Sequence, residues 1–359
     1  MNTRIVIDGG MGEGGGQVLR ASLALSAALG KPFRMTNIRA RRPKPGLKRQ
    51  HLTCVRAVQT ICGAKVEGDA VNSVELEFSP GAVRPGEYQF QVGTGGSVTL
   101  VLQAVVPPLL LGETPSEITV TGGTHVPYAP PFEFMRDTLF PQLARLGPQA
   151  TARMDRVGYM DTGGGSVTVN ITPAAVLTPF QRQEAEEFSG AEAVIYGHNL
   201  PEGIVERETT VLLAERYEPL GLTAENIRCE NSLCSAASPS GSGNAVLVTV
   251  RRGESATVFG ECGWRGRTAE KVARQACKRA LVFMKSEAPV EEHLADQLLV
   301  PLALAGGGAF VAKRITPHAR TCLDVIARFM EIKIDLAPDP VRGVRVTLER
   351  KAPRHGDAR

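Results

Sequence analysis

Residues 8–20 read DGGMGEGGGQVLR, six glycines in thirteen positions with one carboxylate, Glu13, inside and Arg20 at the far end. An apolar run, Ile5–Ile7, leads in, and a helical pattern, Gln17–Leu29, leads out. A strand that breaks into glycines and then starts a helix aims backbone N–H groups into the turn, which makes an anion site. A carboxylate there repels a bare phosphate unless a divalent cation stands between them. The pattern therefore points to a metal–nucleotide.

Cations follow at once. From Gly14 to Val66 there is no Asp or Glu, but there are eleven Lys and Arg. Six of them fall in the thirteen residues Arg39–His51. Pro43 and Pro45 keep that stretch out of a helix, so it reads as a loop entering a helix at His51. Arginine forks in a fixed loop suit bidentate phosphate recognition. Such a charge asymmetry, against a net charge of only +4, favours a polyanionic partner over a solvated basic face. Two further residues stand at predicted helices: His318, between a strand and a helix, and His293, on a helix just ahead of Leu294-Ala-Asp-Gln297. Taken alone, His318 reads as a turn cap and His293 as a surface residue.

Gly10, Gly12 and Gly15 also satisfy a GxGxxG spacing between a strand and a helix, and Arg39 could then meet a 2′-phosphate. Glu13 argues against this dinucleotide reading, because it lies where the pyrophosphate would sit.

The elements that must position these residues alternate. Strands are predicted at Arg4–Asp8, Phe33–Arg39, Val74–Phe78 and Tyr88–Val92, and helices at Gln17–Leu29, His51–Cys62 and, after a glycine turn at Gly93–Ser97, on to Leu111. A second set follows: strand Glu117–Thr121, helix Pro131–Leu146, and strands Ala150–Val157 and Ser166–Ile171. A third closes the chain: helix Ala288–Ala305, strand Ala309–Ile315, helix Thr321–Met330, and strands Glu331–Ala337 and Val344–Glu349. This recurrence predicts an α/β (α+β) fold of repeated βαβαββ units over 1–184 and 280–350. Residues 185–279 read as a smaller inserted α/β domain. Its elements are strand Ala191–Tyr196, helix Glu206–Tyr217, a Ser/Gly loop at Ser235–Gly243, strands Ala245–Val250 and Ser255–Cys262, and helix Thr268–Phe283. The polar tail 351–359 reads as frayed.

At 359 residues and 43% hydrophobic, the chain can bury more than one core. The seven cysteines, an odd count, show no CxxC or Cys/His zinc spacing and suggest reduced thiols. No apolar run reaches the roughly 18 residues of a membrane span, and the chain enters a strand without a leader. The expectation is a cytoplasmic protein with no membrane association.

With these blocks in view, the chain resembles the RNA 3′-terminal phosphate cyclases. The resemblance covers nearly the whole sequence and rests on Asp8–Arg20, Ile38–Thr53 (IRARRPKPGLKRQHLT), Gly93–Gln103 (GTGGSVTLVLQ), Gly122–Pro131 (GGTHVPYAPP), Leu294–Pro301 (LADQLLVP) and His318–Thr321. It implies three βαβαββ repeats resembling the C-terminal domain of translation initiation factor three, and a thioredoxin-like insert. It also implies an ATP-dependent ligase in which AMP passes from a histidine to an RNA 3′-phosphate and the 2′-hydroxyl then closes a 2′,3′-cyclic phosphate.

By the same resemblance His318 is the nucleophile, and Glu13 holds Mg²⁺ or Mn²⁺. Arg20, Arg39 and Arg42 hold the β- and γ-phosphates, and Gln50 and His51 lie near them. Gln103, Pro130, Asp296 and Gln297 line the nucleotide pocket. Two positions depart from the family pattern. His293 stands where bacterial members carry a tyrosine that stacks on adenine, and Cys322 stands where asparagine is common. The partner would be RNA with a 3′-phosphate end. The sequence leaves the oligomeric state open, a homodimer included. Two other functions share features with this one. Non-catalytic relatives acting in ribosome assembly lack the histidine that is present here as His318. Enolpyruvyl-transferring enzymes share the repeat but not the arginine loop.

Overall fold

The computed structural model describes residues 4–230 and 242–351. Three stretches of chain repeat one connectivity. The first contains β1 (Ile5–Asp8), α1 (Gly16–Leu29), β2 (Phe33–Thr36), α2 (Arg49–Cys62), β3 (Lys65–Glu67) and β4 (Leu76–Ser79). The second contains β5 (Glu87–Gln91), α3 (Val98–Leu109), β6 (Ser116–Gly122), a π-helix (Phe134–Leu139) running into α4 (Phe140–Ala144), β7 (Gln149–Arg156) and β8 (Gly165–Thr172).

The third opens with the two-residue β9 (Gln181–Arg182) and is then interrupted. The interruption holds β10 (Phe188–His198), α5 (Ile204–Leu212), a 3-10 helix (Glu215–Leu220), β11 (Ile227–Glu230), β12 (Gly243–Arg252), β13 (Ser255–Cys262) and α6 (Ala269–Met284). The third unit resumes with α7 (Glu292–Leu304), β14 (Gly307–Ala312), α8 (Pro317–Phe329), β15 (Ile332–Asp339) and β16 (Gly343–Arg350).

The three sheets have the orders β1-β2-β4-β3, β5-β6-β8-β7 and β9-β14-β16-β15. In each, the first two strands are parallel and the remaining pairings antiparallel. A helix crosses between the parallel strands, as a parallel connection requires. The interrupting segment forms its own sheet, β11-β10-β12-β13.

α1 lies among α2, α3, α7 and α8. Its sequence, GQVLRASLALSAAL, is buried from Gln17 to Ala27, as a helix apolar on nearly all sides must be. The large core joins all three units, with Phe33, Phe78, Phe310 and Phe329 among its buried side chains. Alternation along β12 divides the inserted sheet between two cores. Ala245 and Leu247 face the large core, while Val246, Val248 and Val250 face α5 and α6 in a second core.

Several predicted elements shift, each for a local reason. The strand predicted over Phe33–Arg39 stops at Thr36, because Asn37 and Arg39 take left-handed backbone (φ 53° and 55°). The predicted Pro131–Leu146 helix becomes the π-helix and α4, with Pro141, which has no N–H to give, at the start of the latter. The Ala288–Ala305 helix starts only at Glu292, because Glu291 caps it and accepts from the amides of His293 and Leu294 at 2.7 and 3.0 Å. The Glu206–Tyr217 helix splits at Leu212. Most consequentially, the helix predicted from Thr321 begins four residues earlier. Thr316 caps it through an acceptor bond from Ala319 N (2.9 Å), and Pro317 occupies its first turn. His318 therefore sits inside the first turn of α8. The short β3, β9 and β11 were not predicted. The Ser235–Gly243 loop, apart from its last two residues, lies outside the described residues, as do Cys234 and 352–359.

Candidate active site

The packing of α3, α7 and α8 around α1 brings four helix starts toward one another. Arg20 lies one turn into α1, Gln103 in the second turn of α3, His293, Asp296 and Gln297 at the start of α7, and His318 at the start of α8. A cleft of about 490 Å³ is lined by these six residues and Pro130. Its far wall comes from the interrupting segment, through β13 and α6.

Glu13 stands beside this cleft and ties it to the glycine turn. Its Oε2 lies 2.9 Å from Nη2 of Arg42 and 3.1 Å from Nε2 of His318. The backbone N–H of Glu13 donates to Oγ1 of Thr321 (3.3 Å), which joins the turn to α8. The glycines are needed for this approach. A Cβ on Gly15 would fall 2.2 Å from Oε1 of Glu13 and 2.6 Å from Nη2 of Arg42, and one on Gly12 (φ 56°) would fall 2.0 Å from Oγ1 of Thr321.

Burial holds the His318 imidazole below the ordinary histidine value of 6.5. Glu13 opposes that shift, while Arg20, His293 and Arg42 reinforce it. The positive end of α8 acts in the same direction. His318 is thus a neutral imidazole at neutral pH, half-exposed to the cleft and held by a carboxylate. That is the state of a nitrogen nucleophile.

Arg20 is buried, donating from Nε to Oε1 of Gln103 (3.0 Å) and from Nη2 to Oε1 of Gln17 (2.8 Å). His51 lies close by: a Cβ on Gly16 would be 2.7 Å from both His51 Nε2 and Arg20 Nη1. Burial, with Arg39, Arg20 and Lys48 around it, drives His51 down to about 3, so it is uncharged, and its Nδ1 accepts from Lys48 N (3.3 Å).

Other residues singled out from the sequence serve the walls. Arg39 donates to the carbonyls of Lys44 and Gly46 (2.8 and 3.0 Å) and so braces its own loop. Gln50 accepts from Ser97 N at 2.8 Å and pins the second glycine turn to α2. The carbonyl of Pro130 accepts from Thr99 Oγ1 (2.7 Å). Asp296 accepts from Thr316 Oγ1 (2.7 Å). Burial, helped by Glu291, Glu292 and Glu13, pushes the Asp296 carboxyl up to about 8, so it is largely protonated at neutral pH. Cys322, one turn after His318 in α8, is fully buried, with its thiol pushed up to about 12, and is inert.

Among the described residues, Glu291, Glu292 and His293 place three donor atoms within 4.8 Å of one another. Both carboxylates already face arginines: Glu291 faces Arg279 at 3.5 Å, and Glu292 is held by Arg314. Glu13 instead keeps Oε1 clear of its two partners on Oε2.

Sequence reasoning missed the contribution of the interrupting segment to the cleft, notably Trp264, Arg267 and Lys271, together with Tyr128 from the second unit. The signal was present in ECGWRGR, where the chain's one tryptophan is followed directly by two arginines, Arg265 and Arg267.

The model for the RNA 3′-terminal phosphate cyclase family matches residues 11–336. Among similar proteins, the RNA 3′-terminal phosphate cyclase of Koribacter versatilis (strain Ellin345) is 43% identical over 93% of this chain and 92% of its own. That of Ectopseudomonas mendocina (strain ymp) is 39% identical over 96% and 98%, and that of Salmonella agona (strain SL483) is 41% identical over 92% and 94%. With its glycine turn, arginine loop and first-turn histidine set around one cleft, the chain belongs to the RNA 3′-terminal phosphate cyclase family.

Proposed function

We propose that this protein converts an RNA 3′-phosphate to a 2′,3′-cyclic phosphate at the expense of ATP, with His318 as the AMP carrier. The observation that supports this most is the neutral first-turn imidazole of His318, 3.1 Å from Glu13 at the mouth of an uncapped helix flanked by arginines.

In the first step a ring nitrogen of His318 attacks the α-phosphorus of ATP. The bond from that phosphorus to the bridging oxygen breaks, and pyrophosphate leaves. Arg20, Arg42 and the N–H groups of the glycine turn face the charge that develops on the departing phosphates. Arg39 keeps the loop in shape for them. A divalent cation, Mg²⁺ or Mn²⁺, fits this corner, since Glu13 offers one carboxylate and a triphosphate the further oxygens; when bound it offsets phosphate charge. Pro130, His293, Asp296 and Gln297 form the wall for the adenosine, with imidazole in place of phenol as the stacking ring.

In the second step an oxygen of the RNA 3′-phosphate attacks the same phosphorus, and the P–N bond to His318 breaks. The imidazole leaves readily once protonated. In the third step the neighbouring 2′-hydroxyl attacks the RNA phosphorus, loses its proton and expels AMP.

The described cysteines are free thiols, which fits a reducing, cytoplasmic setting. Among the described residues no helix is long and apolar enough to cross a membrane.

The test is to incubate the protein with ATP and a 3′-phosphorylated oligoribonucleotide. The 3′-phosphate should become resistant to phosphatase, with one AMP and one pyrophosphate released per end. A terminal phosphate that stays phosphatase-sensitive while ATP is consumed contradicts the proposal.

A further inference from the structure

The cleft must serve two nucleotides in succession, and it has two stacking walls. The first, Pro130 with His293, adjoins Asp296, Gln297 and His318 and is assigned above to the adenosine. The second lies across the cleft on the interrupting segment and has no role yet.

Its centre is Trp264, which keeps 38% of its surface exposed. Arg267 backs the indole, with its guanidinium carbon 4.4 Å from the ring centroid. That guanidinium is fixed: Nη1 donates to the carbonyl of Cys262 (2.7 Å), Nη2 donates to Glu261 (2.8 Å), and the side chain is buried. The ring of Tyr128 lies 6.2 Å from the indole, tilted by 35°. Tyr128 is 95% exposed and holds left-handed backbone, φ 64°. An exposed aromatic held in that disfavoured backbone conformation is a cost to the fold, of the kind that persists where a ligand uses it. Lys271, in the first turn of α6, is exposed on the same wall.

We infer that Tyr128 and Trp264, backed by Arg267, form a stacking site for an unpaired nucleobase near the 3′ end of the substrate RNA. The inference rests on the cyclase reading above. Aromatic faces beside cations are how proteins hold single-stranded ends without reading their sequence. A base held between two rings needs them about 7 Å apart, twice the contact distance of about 3.5 Å. Tyr128, almost fully exposed, is placed to turn its ring face toward the indole across such a gap. Lys271 then faces the strand's backbone phosphates. The interrupting segment thereby presents the RNA end, while the repeated units supply the chemistry.

Trp264 is the chain's one tryptophan, so its fluorescence reports this wall alone. A 3′-phosphorylated oligoribonucleotide should quench it. The same oligonucleotide made abasic at its last two positions should quench weakly and bind about tenfold less tightly. Trp264→Leu should bind the intact oligonucleotide about tenfold less tightly and no longer distinguish it from the abasic one, whereas Trp264→Phe should restore most of the difference. Should a preparation of Trp264→Leu misfold, Tyr128→Ala measured by indole quenching carries the same comparison. Quenching by ATP alone to the full extent would place the indole on adenine and overturn the assignment. So would a Trp264→Leu protein that still prefers the intact end. Labelling of the wild-type protein by α-labelled ATP uses no RNA. Its absence would defeat the cyclase reading itself, separately from the stacking site.

Discussion

The first and second units place a strand, a glycine turn and a helix in the same order, yet the two turns do opposite things. In the second, Ser97 caps α3, accepting from Leu100 N (3.2 Å), and its own N–H is taken by Gln50. In the third, Glu291 caps the corresponding helix, α7. In the first, the capping position is Gly15, which has no side chain to offer, and Glu13 turns away to Arg42 and His318. Repeated units thus share a helix start with positive character. The chain closes two of them with its own side chains and leaves the start of α1 without a side-chain cap. A cap and an anion site are alternative uses of the same amides, so the proposed phosphate site falls on the unit where the cap is missing.

This contrast can be broken at its centre by removing the charge of Glu13. Glu13→Gln keeps the shape, and self-adenylation by ATP should fall about 10²–10³-fold with little change in melting temperature, as for loss of a preorganised electrostatic group. Raised Mn²⁺ should recover part of the rate. A variant with wild-type rates at low metal would show that the carboxylate serves only to hold Arg42.

Filling the open turn comes next. Gly15→Ala puts a methyl against Glu13 and Arg42 and should slow adenylation by about 10²-fold, the cost of displacing a reacting constellation by about 1 Å. The matched change in the second unit, Ser97→Ala, should act on stability instead. It removes a cap worth about 1 kcal/mol, lowers the melting temperature by a few degrees, and leaves labelling within a few-fold. If both variants damaged chemistry alike, the two turns would not differ in kind.

Two pH dependences sharpen the picture with smaller effects. In the proposed reaction the neutral imidazole is the attacking form, and its affinity for a proton is lowered in the fold. The acid limb of the labelling rate should therefore fall below pH 6.5, the ordinary histidine value. Asp296 shifts the other way. Its carboxyl titrates near 3.8 in an unfolded chain and about 8 here, so between those values the folded protein holds a proton that the unfolded chain has released. Stability from this group is full below about pH 4 and is lost as pH rises toward 8. Asp296→Asn, which keeps the acceptor for Thr316, should gain in melting temperature over wild type across that window and show no gain at pH 4.

How much of this could be read in advance varies with the physics involved. Period and glycine punctuation placed most helices and strands, because α1, α2 and α3 obey local rules. The short β3, β9 and β11 escaped, because two to four residues carry no periodic signal and are held by their neighbours. The start of α8 was misplaced although Thr316-Pro317 is a good start signal. Placing His318 in a loop hid the helix end that keeps it neutral. Glu13, Arg42 and His318 were legible as residue types, but their meeting is a long-range event set by α8 packing on α1. The roles of Arg39 and Gln50 as braces, and the wall built by Trp264, follow from tertiary contacts that no local pattern encodes.

The central claim is that the open turn of the first unit activates His318 toward ATP. The most direct measurement is to incubate the protein with α-labelled ATP and a divalent cation, digest it, and map the label. We expect one AMP per chain on the peptide containing His318, in a linkage lost in acid and kept in alkali, as a phosphoramidate requires, and no label in His318→Ala. Label on His51, His293 or a lysine, or undiminished labelling of His318→Ala, would contradict the account.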